Sequence, residues 1–204
     1  MRKLGGWLLL LGLAAPGFAD VAVFSGIFSA DDQVALFSIV ASAPETVTIQ
    51  TYGYAGGSVG GHTFNAGGFA PAGFLFDNMG DVLALTNGTC SQVGKDPVTG
   101  NCDDLFFQNT LGPGTFTLAL AVNDNAPLGT AVADGFRQDG NPGFTCAELG
   151  VSGSFCDLTT ATGTSRTGNY ALSITTVAAV PEPASGILLL SCGAIILLRR
   201  RRIN

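Results

Sequence analysis

Residues 115–122, Thr-Phe-Thr-Leu-Ala-Leu-Ala-Val, place an apolar side chain at every even position. A period of two marks a strand with one face on a core, because successive side chains leave a pleated backbone on opposite sides. The stretch predicts a strand with Phe116, Leu118, Leu120 and Val122 inward and Thr115, Thr117, Ala119 and Ala121 outward. Alternation recurs at 21–28, 46–51, 73–77, 81–85 and 169–175, with a run apolar on both faces at 33–41 and a short one at 105–107. No apolar stripe of period 3.6 falls between residues 20 and 180. Asn78-Met79-Gly80 reads as a hairpin turn between 73–77 and 81–85, and Leu111-Gly112-Pro113-Gly114 as a tight turn before residue 115. Eight short strands separated by turns predict an all-β fold, an antiparallel β-sandwich. Residues 124–168 are too long and too rich in Gly, Pro, Ser and Thr for one strand; a short strand or two near 131–136 is expected there.

Both ends of the chain read as addresses. Met1-Arg2-Lys3, an apolar stretch over 4–15 and Gly17-Phe18-Ala19 form a secretory signal peptide cut after Ala19. At the other end, Val180-Pro181-Glu182-Pro183-Ala184 leads into the uncharged run 184–198, closed by Arg199, Arg200, Arg201 and Arg202. The prolines stop any helix before the run, and the arginines mark the cytoplasmic end of a membrane segment. The run is 15 residues long, short of the ~20 needed for a full span. A single transmembrane helix over 184–198 therefore needs arginine snorkelling and local thinning of the bilayer. The chain divides into a leader (1–19), an exported domain (20–177) and a C-terminal segment (178–204).

The formal charge of −6 hides a more acidic middle. Lys95, Arg137 and Arg166 face fourteen Asp and Glu between residues 20 and 177, which leaves the exported part near −11. Such a surface repels nucleic acid, and anionic polysaccharide too unless a cation bridges them. Asp31, Asp32, Asp77, Asp103 and Asp104 stand in turn-like surroundings beside strands and are candidate calcium ligands, since calcium takes 6–8 oxygens from loops. Asp124, Asp134 and Asp139 are further candidates. The alternative is that these aspartates cap turns and solvate edges. No other cofactor is indicated.

Cys90, Cys102, Cys146 and Cys156 allow three pairings, of which the local pairs 90–102 and 146–156 are the simplest. Disulfides persist in oxidising compartments. Zinc would need closer cysteine spacing or histidine partners. His62 is the only histidine, in a glycine-rich loop with no Gly-x-Ser-x-Gly elbow, and reads as a solvated loop residue. No phosphate-binding fingerprint occurs, and the chain is expected not to be an enzyme; a small hydrolase using His62 or paired aspartates is the weaker alternative. Tyr52, Tyr54, Phe64 and Phe69 are either a sugar-stacking face or strand-end core.

The C-terminal order of Pro-Glu-Pro motif, apolar segment and basic tail resembles the PEP-CTERM sorting signal of Gram-negative bacteria. The resemblance implies Sec-dependent export and recognition of Pro181-Glu182-Pro183 by an exosortase, a membrane-embedded enzyme that removes the tail. A standing tail anchor is the alternative. The stretches 29–37, 69–77 with Gly80, 111–118 and 166–172 resemble PEP-CTERM-anchored surface domains and, more distantly, the pre-peptidase C-terminal (PPC) β-sandwich. This implies a jelly-roll or PPC-like sandwich with no established activity, whose distant relatives are calcium-stabilised binding or accessory modules. An adhesive or matrix role beside exopolysaccharide is implied in the same way, with a calcium- or carbohydrate-binding module as the alternative.

Overall fold

The computed structural model describes residues 19–160 and 162–178. The leader up to residue 18, the motif at Val180 to Pro183, the apolar run and Arg199 to Arg202 lie outside them. In chain order the strands are β1 (Ala19–Ile27), β2 (Ala35–Ala41), β3 (Glu45–Thr51), β4 (Gly57–Val59), β5 (His62–Phe64), β6 (Pro71–Phe76), β7 (Val82–Ala84), β8 (Phe106–Leu111), β9 (Gly114–Val122) and β10 (Asn169–Ala178). Two short helices, α1 (Cys90–Val93) and α2 (Phe144–Glu148), interrupt the loops before β8 and β10. All pairings between these strands are antiparallel. The strand orders are β1-β10-β3-β8 in one sheet and β2-β9-β6-β7 in the second, with β4-β5 as a separate hairpin. The fold of the described residues is all-β, and none of their helices is long and apolar enough to cross a membrane.

The core lies between the two four-stranded sheets. Val47, Ile49, Leu172 and Ile174 from one sheet meet Ile39, Leu75, Leu118 and Leu120 from the other. Register keeps like with like: Ile49 lies opposite Ile174 and Phe107, and Leu118 between Phe37 and Leu75. Each such side chain contributes about 1.5–3 kcal/mol by leaving water. Apart from β6 and β7, successive strands of the main sheets lie in opposite sheets, so the chain repeatedly crosses the core's ends. Gly112 and Pro113 make one such crossing, from β8 to β9.

Three expectations change. The inward face of β9 is as expected for Leu118, Leu120 and Val122, with Phe116 half-buried, but Ala119 and Ala121 are also fully buried. Residues 124–168 fold back over that face, and Phe136 packs on Ala119 and Phe76. Near 131–136 there is a 3-10 turn at Val132–Asp134 and a single bridge from Pro127 to Phe136 in place of a strand. The glycine-rich stretch read as a loop contains the β4–β5 hairpin. Its two turn residues, Gly60 and Gly61, both have positive φ (57° and 80°), the turn that matches strand twist and that glycine adopts without steric cost.

Candidate functional site

The most connected polar cluster is buried and joins the two disulfide loops. Cys90 pairs with Cys102 and Cys146 with Cys156, the local pairs. Asp96 lies within the first of these loops, and Asp157 follows Cys156 directly. Arg166, on the approach to β10, bridges them. Its Nη1 donates to Asp96 Oδ2 at 3.0 Å and its Nη2 to Asp157 Oδ2 at 3.0 Å, with all three side chains 1% exposed or less. The guanidinium lies 4.0 Å over the Tyr54 ring, a cation–π arrangement. Tyr54 Oη donates to Asp157 Oδ2 at 2.6 Å. Thr99 donates its N–H and hydroxyl to Asp96, and Thr159 does the same for Asp157.

Burial alone would raise both acids. The Arg166 and Thr99 donors around Asp96, and those of Thr159, Tyr54 and Arg166 around Asp157, outweigh it and hold both carboxyls below the usual carboxylate range. Burial, and then the bond to Asp157, push the Tyr54 phenol up to about 12. With the carboxylates enclosed and fully engaged, the cluster fastens two loops together. Sequence reasoning missed Asp96, Asp157 and the role of Arg166.

The aspartates singled out from the sequence are dispersed. Asp31 is fully buried and accepts from Gly143 N–H at 2.5 Å, Thr145 N–H at 2.8 Å and Thr145 Oγ1 at 2.7 Å, which pins the start of α2. Its neighbour Asp32 is half-buried, and its carbonyl accepts from Asn125 Nδ2. Asp104 is fully buried and accepts from Thr51 Oγ1, Tyr54 N–H and Ala55 N–H. Burial raises its carboxyl, with those donors opposing. Asp103 faces the other way, toward Asn87 and Thr159. Asp77 caps the β6–β7 turn through the N–H groups of Met79 and Asp81. Asp134 and Asp139 accept from Ala131 and Phe136 N–H groups, and Asp124 pairs with Arg137 on the surface. Among the described residues no three His, Cys, Asp or Glu side chains gather in a metal-binding group.

The aromatic candidates also separate. Tyr54 and Phe69 are core residues. Tyr52 is buried on the outer side of the β1-β10-β3-β8 sheet, where its hydroxyl lies 3.4 Å from that of Ser173. Phe64 is half-buried, and its ring neighbours those of Tyr52 at 6.3 Å and the exposed His62 at 6.4 Å between centroids. It lines a groove of about 440 Å³ between the β4–β5 hairpin and the outer side of β1 and β10, whose walls include Ser25, Ile27, Asn65 and Asn169.

The described residues thus define a disulfide-clipped, all-β domain of two facing antiparallel sheets. No protein-family model matches the chain, and comparison with curated proteins finds no match.

Proposed function

We propose that the chain is an exported, non-enzymatic surface protein of a Gram-negative bacterium. Its leader engages the Sec machinery, and an exosortase at the inner membrane reads Val180-Pro181-Glu182-Pro183 and the segment ending in Arg199 to Arg202. The β domain is then left in the envelope or extracellular matrix, in an adhesive role beside exopolysaccharide. The interleaved order β1-β10-β3-β8 over β2-β9-β6-β7 is read as a PPC-like jelly roll, two Greek keys wrapped into one sandwich with β4–β5 inserted.

The observation that carries this reading is the pair of disulfides, Cys90–Cys102 and Cys146–Cys156, which belong to an oxidising, extracytoplasmic environment. The burial of Asp31, Asp96, Asp104 and Asp157 against internal donors supports a structural rather than a chemical use of the acids. The test is fractionation and intact mass of the protein from Gram-negative cells with and without an exosortase. The expected product starts at Asp20, lacks Arg199 to Arg202 when the exosortase is present, and carries two disulfides. A reduced chain in the cytosol with its leader intact overturns the export reading, and a mature chain that keeps the arginines overturns the sorting one. A second reading, a carbohydrate-binding module, is favoured by the groove beside the β4–β5 hairpin.

A further inference from the structure

We infer that the groove between the β4–β5 hairpin and the outer side of β1 and β10 is a site for a neutral glycan; this rests on the carbohydrate-binding reading and gives it a place and a ligand class. A groove of about 440 Å³ falls within the ~300–1,000 Å³ of small-ligand clefts. Part of its wall is bare backbone: at Gly53 a Cβ would lie 3.1 Å from the Asn169 carbonyl oxygen, so that position admits a side chain only with displacement of the β10 backbone. The hairpin is held over β1 by close packing: a Cβ at Gly60 would lie 3.1 Å from a Val23 methyl.

The lining matches the two faces of a sugar ring. A pyranose presents apolar C–H groups on its faces and hydroxyls that both donate and accept around its rim. Phe64 supplies a ring already fixed by Tyr52 at 6.3 Å and His62 at 6.4 Å between centroids, and Ile27 adds an apolar side chain that is 76% exposed. Asn65, Asn169 and Ser25 each offer a donor and an acceptor, and their side chains make no hydrogen bond to another described residue. Pre-fixed aromatic and uncommitted polar groups lower the ordering cost of binding.

Charge selects the class of glycan. No residue lining the groove is charged. Arg166 is enclosed with Asp96 and Asp157, Arg137 is paired with Asp124, and Lys95 lies in the Cys90–Cys102 loop outside the groove lining, in a domain near −11. Uronates, sulfates and phosphates would meet no countercharge and a repulsive field. A neutral polymer meets neither obstacle.

The test is affinity electrophoresis of the full chain, exported and oxidised, in gels carrying neutral polymers (dextran, galactomannan, mixed-linkage β-glucan) or acidic ones (alginate, polygalacturonate). Retardation by at least one neutral polymer and by no acidic one is expected. Asn65→Ala and Phe64→Ala should each weaken it about tenfold, the scale of one lost stacking or hydrogen-bonding contact. Met79→Ser, at an exposed turn of the other sheet, should leave it unchanged. If Phe64→Ala lowers the melting temperature, the exposed positions Asn65→Ala and Asn169→Ala decide alone. No retardation by any polymer overturns the carbohydrate-binding reading itself. Retardation by acidic polymers only, or binding to a neutral polymer that survives Asn65→Ala and Asn169→Ala unchanged, overturns the groove assignment and leaves that reading standing.

Discussion

Arg166 and Asp157 meet at 3.0 Å with side chains that are 1% and 0% exposed, and the same guanidinium reaches Asp96 at 3.0 Å. Removing the cation strands two carboxylates in a site without solvent. Arg166→Met is therefore expected to cost about 3–5 kcal/mol, measured by urea unfolding of the oxidised protein. Arg166→Lys keeps the charge but not the planar fork, and should fall between wild type and Met. A cost below ~1 kcal/mol for Arg166→Met, the scale of an exposed pair, would show that the cluster opens to water.

Acid should expose the same cluster. Asp96 and Asp157 are held below their ordinary range when folded, so each contributes stability that is present above the unfolded value of ~3.9 and is lost as pH falls through the folded value. Asp104 has the opposite sign: its carboxyl is raised, so its contribution is present at low pH and is lost as pH rises. Urea midpoints followed from pH 7 downward should hold or rise slightly as Asp104 protonates, and then drop below about pH 4. In Asp96→Asn/Asp157→Asn the drop should shrink, and an unchanged drop would place the acid-sensitive groups elsewhere.

Alkali offers a spectroscopic counterpart. Tyr54 is raised to about 12, against ~10 for a free phenol. A raised folded value means the neutral phenol stabilises the fold below about pH 10, and that contribution disappears as pH climbs toward the folded value. Phenolate absorbance of the folded domain should show a late step, absent in Tyr54→Phe. A Tyr54→Phe protein that retains the late step would sink the assignment to Tyr54.

Much of the sheet was legible because a pleated backbone writes its geometry as alternation. The stretch 115–122 showed the inner face of β9, and Asn78-Met79-Gly80 showed the β6–β7 hairpin. The β4–β5 hairpin escaped because three-residue strands such as Gly57–Val59 are too short to display a period. Ala119 and Ala121 looked solvent-facing because alanine carries little signal of burial, yet both are buried, and the small Ala119 side chain lets Phe136 pack on it. Asp103 and Asp104 looked alike as candidate calcium ligands in turn-like surroundings, whereas Asp104 is fully buried and Asp103 is half-buried toward Asn87 and Thr159. The Arg166 cluster was hidden because its partner Asp96 lies 70 positions away. One signal did exist: with only three cations between residues 20 and 177, a buried Arg166 had to find acids.

The first disulfide and the ion cluster hold the same loop, so their contributions should not add. A loop closed across 12 residues, as by Cys90–Cys102, restricts the unfolded chain by about 2–3 kcal/mol. Cys90→Ser/Cys102→Ser should cost that much in the wild-type background. In an Arg166→Met background, where Asp96 has lost its anchor, the cost should differ by at least ~0.5 kcal/mol, the coupling typical of shared structure. Strict additivity in this cycle would mean that the two devices brace independent regions.

Asp31 separates a loop clamp from a cation site. Its two oxygens already accept from Gly143 and Thr145, and Thr145 Oγ1 in turn accepts from Cys156 N–H at 2.9 Å, so the contact extends from the β1–β2 loop to the second disulfide. Asp31→Asn replaces one acceptor by a donor facing a donor and should cost about 1–3 kcal/mol, the penalty of an unsatisfied buried group. Thr145→Val should cost a comparable amount, since it orphans Asp31 Oδ2 and Cys156 N–H in part. Both losses should be the same in millimolar calcium and in chelator, read as melting temperatures. A wild-type melting temperature that rises with calcium, and an Asp31→Asn protein in which that rise is gone, would make the carboxylate a metal ligand and displace the clamp.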